Sequence, residues 1–83
     1  MFGSKTLSKH AGLMGRMAET LDVDLGKAIQ TGAMSPESYR ASVMRCTKCS
    51  DPEACADWLD ENSQSTATPD YCRNAAMLEA LKP

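Results

Sequence analysis

Three times along the chain a capping oxygen is followed by proline and then by an acid: Ser35-Pro36-Glu37, Asp51-Pro52-Glu53 and Thr68-Pro69-Asp70. Each position suits a helix N-terminus for its own reason. The side-chain oxygen accepts from an exposed amide. Proline has no amide to leave unpaired, and the acid faces the positive end of the helix dipole. Met34 and Tyr39 occupy the staple positions around the first of these caps. The triplets predict helices from Pro36 to about Lys48, Pro52 to about Glu61, and Pro69 to about Leu81.

Upstream, Lys5 to Leu21 carries Leu7, His10, Leu13, Met14, Met17 and Leu21 at helical spacing. Gly12 and Gly15 either weaken that helix or admit a close neighbour. Asp24 can cap a short second helix bearing Leu25, Ala28 and Ile29, with Gly32 as its stop. Residues 62–67 form a polar connector without apolar periodicity, expected to be mobile, and no segment alternates like a strand. The fold class that follows is all-α. It is a small, orthogonally packed bundle of about five short helices forming one domain over residues 1–83.

A chain of 83 residues buries only about 60–65% of its unfolded surface, so a staple is useful to it. Four cysteines can supply one. Cys46, Cys49, Cys55 and Cys72 follow the spacing C-x2-C-x5-C-x16-C, and the first 45 residues contain no cysteine. Four sulfurs suffice for one tetrahedral zinc, one iron–sulfur cluster or two disulfides.

On the predicted helices, Cys55 and Cys72 both become the fourth residue after a cap. There the positive dipole end lowers a thiol pKa. Cys46 continues the inward Tyr39–Val43 stripe, and Cys49 lies in the turn that follows. The four sulfurs can then converge where the last three helices meet, with Arg45, Lys48 and Arg73 nearby to offset thiolate charge. A catalytic CxxC normally opens a helix, whereas Cys46–Cys49 closes one, so thiol–disulfide oxidoreductase chemistry is disfavoured. Zinc ribbons pair two knuckles on tight turns, and this chain has a single CxxC with no glycine beside any cysteine. An iron–sulfur cluster of the 4Fe–4S type is narrowly the favoured occupant. Zinc is the nearest alternative, ahead of disulfides or merely buried thiols.

The remaining residues suggest little chemistry of their own. A net charge of −2 gives no concentrated basic face for nucleic acid. Met1 to Leu21 is broken by Lys5, Lys9, His10 and Arg16, which argues against a secretory signal, and no stretch has transmembrane length. A cytoplasmic setting is expected, where thiols stay reduced. His10 reads as a core histidine. Trp58, Leu59 and Tyr71 read as shields for the cysteine site, and Met14, Met17 and Met44 as core. Asp51, Glu53, Asp57, Asp60 and Glu61 make the fourth helix acidic, either as a solvated face or as a surface for a basic protein partner. No paired carboxylates, Ser/His/Asp set or phosphate-cradling loop is present, so neither an enzyme nor a small-molecule substrate is indicated.

Taken together the pattern resembles a family of short alphaproteobacterial four-cysteine proteins classed as a domain of unknown function, DUF6455. The resemblance starts at His10, Leu13 and Met17 and passes through Val23-Asp24-Leu25, Gly32 and Pro36-Glu37-Ser38-Tyr39. It continues in Val43-Met44-Arg45-Cys46. It is most specific in Cys49-Ser50-Asp51-Pro52, Cys55, Trp58-Leu59 and Pro69-Asp70-Tyr71-Cys72-Arg73-Asn74, and covers roughly residues 10–81. It implies a small helical protein whose four cysteines belong together, and it implies no activity. The expected function is metal binding at Cys46, Cys49, Cys55 and Cys72, serving electron transfer or redox sensing. The alternative is an interaction or adaptor module held by structural zinc or disulfides.

Overall fold

The computed structural model describes residues 4–82. Five helices follow one another: α1 (Ser4–Thr20), α2 (Leu25–Thr31), α3 (Pro36–Thr47), α4 (Pro52–Glu61) and α5 (Ala75–Ala80). Among the described residues there is no strand. The bundle is flat, measuring 32 × 32 × 17 Å.

Three of the predicted caps form as drawn. Asp24 accepts from the Lys27 amide at 2.9 Å, Ser35 from Ser38 at 3.0 Å, and Asp51 from Ala54 at 3.0 Å. Gly32 ends α2 in the left-handed region, φ 81°. The end of α1 uses the same geometry without a glycine. Asp22 (φ 62°) lets the Val23 amide reach back to the Ala18 carbonyl at 2.8 Å, while its own amide bonds Glu19 at 3.0 Å. This closure answers the orphan carbonyls of the last turn and folds Val23 into the core.

The third proline start is a correction. Thr68-Pro69-Asp70 opens no helix. The Cys72 amide bonds the Pro69 carbonyl at 3.1 Å in a tight turn, and α5 begins only at Ala75. The reason is tertiary. Asn74, 3% exposed, donates through Nδ2 to the Ser42 carbonyl at 2.9 Å and accepts from Arg45 Nε at 3.0 Å. A local cap contributes about 1 kcal/mol. A buried hydrogen bond to the Ser42 carbonyl and a part-buried one from the charged Arg45 guanidinium together outweigh it at roughly 2–4 kcal/mol.

Helix α1 is the centre of the bundle and packs on both α3 and α4. It buries Leu13, Met17 and Ala18, and with Leu21 and Val23 beyond its end these meet Cys55 and Leu59 of α4 and Leu78 of α5. The two glycines of α1 do not serve close approach. A Cβ at Gly12 or Gly15 would meet nothing within 4 Å. They are simply poor helix formers, so Gly12→Ala and Gly15→Ala should each raise stability by about 0.5–1 kcal/mol in thermal melts. A loss of stability in either variant would show that the glycine has a role the packing does not reveal.

The 62–67 connector is tied down more than its composition suggests. The Ser65 amide bonds the Thr20 carbonyl at 2.9 Å, Thr20 Oγ1 donates to the Asn62 carbonyl at 3.4 Å, and Lys82 Nζ donates to the Thr66 carbonyl.

Candidate metal centre

All four cysteines are free thiols, and all four line one cavity. Cys46 comes from the last turn of α3, and Cys49 from the turn beyond it, where its amide bonds the Cys46 carbonyl at 3.0 Å. Cys55 comes from the first turn of α4, its amide making the first helical bond to the Asp51 carbonyl at 3.1 Å. Cys72 comes from the turn ahead of α5. Leu13, Met14 and Met17 of α1 and Leu78 of α5 supply apolar wall, and Tyr71, Arg73 and Asn74 complete the lining.

The four cysteines expected to belong together all contribute to the lining of this one cavity. As the thiols stand, no three Cys, His, Asp or Glu side chains among the described residues are close enough to grip an ion. The space between them is about 20 Å³, room for about one water-sized body.

The sequence matches the model of a family of unknown function, DUF6455, over residues 1–83. The chain belongs to the DUF6455 family. No curated protein and no solved structure matches it. Membership brings no activity with it, so the chemistry of this DUF6455 chain has to be read from its own cavity.

Cys46, Cys55 and Cys72 hold their protons tightly. Burial, followed by repulsion from Cys55, Cys49 and Cys72, raises Cys46 from 9.0 to about 11. Cys55 is raised by burial and by Cys49 and Cys72, with Arg16 pulling it down. Burial raises Cys72 as well, opposed by a hydrogen bond from the Asn74 backbone amide. The expectation that helix dipoles would depress Cys55 and Cys72 is therefore corrected. Desolvation and mutual repulsion win, and Cys72 precedes its helix instead of sitting inside it.

These raised values set the alkaline limit of the metal-free protein. An unfolded thiol ionises near pH 9 while the folded one keeps its proton. The stability the thiols contribute is thus intact below pH 9 and lost as pH rises toward about 11 for Cys46. The urea midpoint should hold below pH 9 and fall above it, with a shallower fall in Cys46→Ala. Identical curves for the two proteins would show that Cys46 ionises as freely folded as unfolded.

Of the basic residues picked out beside the cysteines, Arg73 lines the cavity, Lys48 is exposed and Arg45 is taken up by Asn74 and Ser42. The cation that acts on Cys55 is Arg16, which the sequence did not single out because it lies on another helix. Trp58 and Tyr71 both pack half-buried against the core, and of the two Tyr71 lines the cysteine cavity.

The acidic face of α4 is partly answered within the chain. Arg16 pairs with Asp60 at 2.8 Å, Lys9 with Glu53 at 3.9 Å, and Asp51 is occupied as the α4 cap. Two residues acquire a place at the site that sequence reasoning withheld. Asn74 holds the Cys72 turn against α3, and His10 touches the Cys46 sulfur. Among the described residues no helix is long and apolar enough to cross a membrane.

Proposed function

We propose that this protein binds one metal centre through Cys46, Cys49, Cys55 and Cys72, an iron–sulfur cluster serving electron transfer or redox sensing. The observation that carries this reading is the single cavity lined by four free thiols and walled by apolar side chains. An all-sulfur donor set suits iron–sulfur clusters and zinc and is poorly suited to hard cations.

When bound, such a cluster supplies one-electron exchange. The chain's own residues bind it, with Leu13, Met14, Met17 and Leu78 keeping water away. The Asn74 amide directs a hydrogen bond at the Cys72 sulfur, the kind of contact that tunes a cluster's potential. Uptake displaces thiol protons, so affinity rises with pH through the neutral range.

A second reading is structural zinc in an interaction module, whose partner would be a basic protein surface facing Asp57 and Glu61 of α4. The cavity's small size, about 20 Å³, favours a single ion over a cluster. Elemental analysis of protein purified without oxygen decides between them. Iron and acid-labile sulfide, with a visible absorption that bleaches on reduction, support the cluster. A colourless protein with one zinc per chain overturns the cluster and keeps the site. Protein that takes up neither metal under reducing conditions overturns both.

A further inference from the structure

His10 begins the same α1 stripe, with Leu13, Met14 and Met17, that walls the cysteine cavity, yet it stands behind Cys46 and outside the cavity lining. It is 6% exposed. Its Nδ1 lies 3.5 Å from Cys46 Sγ, and the same sulfur donates to the His10 backbone carbonyl at 3.5 Å. As a thiol, Cys46 can donate to either the carbonyl or the ring, and the ring's role follows its tautomer. As a metal-bound thiolate the sulfur has no hydrogen and can only accept, so a contact with Nδ1 then requires the tautomer that carries its proton there.

We propose that His10 is a positioning residue for the metal centre: its Nδ1–H holds the Cys46 sulfur and sets how much charge that ligand carries. The inference rests on the four-cysteine reading above and deepens it. On metal uptake the Cys46 S–H bond breaks, an S–metal bond forms and the proton passes to solvent. The contact to the His10 carbonyl then loses its hydrogen, and the ring N–H remains as donor to a thiolate. A hydrogen bond to an ionised acceptor is roughly twice as strong as one to a neutral acceptor. The contact therefore grows stronger when the centre is loaded. It also stabilises the added negative charge of a reduced centre, which raises its potential.

The test compares wild type, His10→Asn and His10→Leu, each loaded with cobalt(II) as a probe of the thiolate set and, separately, with iron and sulfide under anaerobic conditions. His10→Leu is expected to bind cobalt about tenfold or more weakly and to carry a cluster of lower potential. His10→Asn, whose side-chain amide can present N–H where Nδ1–H stood, is expected to recover most of both. Metal-free melts of the three proteins report whether the fold is intact. If His10→Leu is unfolded, His10→Gln replaces it. Its amide falls nearer the Nε2 position, so it is expected to show the weaker binding and lower potential. Equal affinity and equal potential in all folded variants overturn the role of His10 and leave the cysteine centre standing. Wild type that takes up neither cobalt nor iron overturns both.

Discussion

Leu78→Ala is expected to cost about 3–5 kcal/mol, near the upper end for a truncated core leucine. Leu78 is 0% exposed and is the buried anchor of α5, a helix of six residues. So short a helix has almost no stability of its own and exists because it is docked. The side chain also touches the floor of the cysteine cavity. Its removal would open space beside the thiols that the surrounding helices are poorly placed to refill. Small domains have roughly 5–15 kcal/mol in hand, so a third or more of the total is at stake. Urea titration measures the loss. Leu78→Met, which keeps the volume, should stay within about 1.5 kcal/mol of wild type. A cost below about 1 kcal/mol for the alanine would mean that α5 is not docked through this residue.

Cys72→Ser should abolish stable metal uptake while leaving the metal-free fold nearly unchanged. Serine is close to isosteric but is a poor ligand for a soft site. The turn that carries residue 72 is held by Asn74 through Ser42 and Arg45, none of which the substitution disturbs. The contrast between the two states makes the measurement specific. A metal that binds only the folded chain raises the melting temperature by mass action, so wild type should gain with metal and the variant should not. Retention of a full equivalent of metal by Cys72→Ser, with the same thermal gain, would remove Cys72 from the ligand set.

The helix starts were legible where the determinant is local. Asp24, Ser35 and Asp51 each need only the amide three residues on, and α2, α3 and α4 begin as those residues predict. Thr68-Pro69-Asp70 carries the same local signal, and there it loses. Asn74 bonds Arg45 and the Ser42 carbonyl on α3, 29 and 32 residues away in sequence, and nothing in the neighbourhood of Pro69 announces them.

The cysteine site divides along the same line. Spacing brings Cys46, Cys49 and Cys55 together through one turn, and the stripe on α3 turns Cys46 inward. The contacts of His10 and Arg16 depend on how α1 crosses α3 and α4, which no periodicity encodes. The thiol pKa values went the other way from the dipole argument for a related reason. Dipole ends can be read from a cap, but burial and the proximity of other sulfurs come only with the tertiary fold.

The flatness of the bundle has a consequence for whatever the sulfurs hold. With a short axis of 17 Å, and with Cys46, Cys49 and Cys72 only half-buried, the cavity lies close to bulk solvent. An electron would need no relay chain to enter or leave the cysteine cavity, and a donor docked on either broad face would already be within direct reach. The same thinness gives dissolved oxygen a short path. A cluster here would be quick to exchange electrons and quick to be damaged in air.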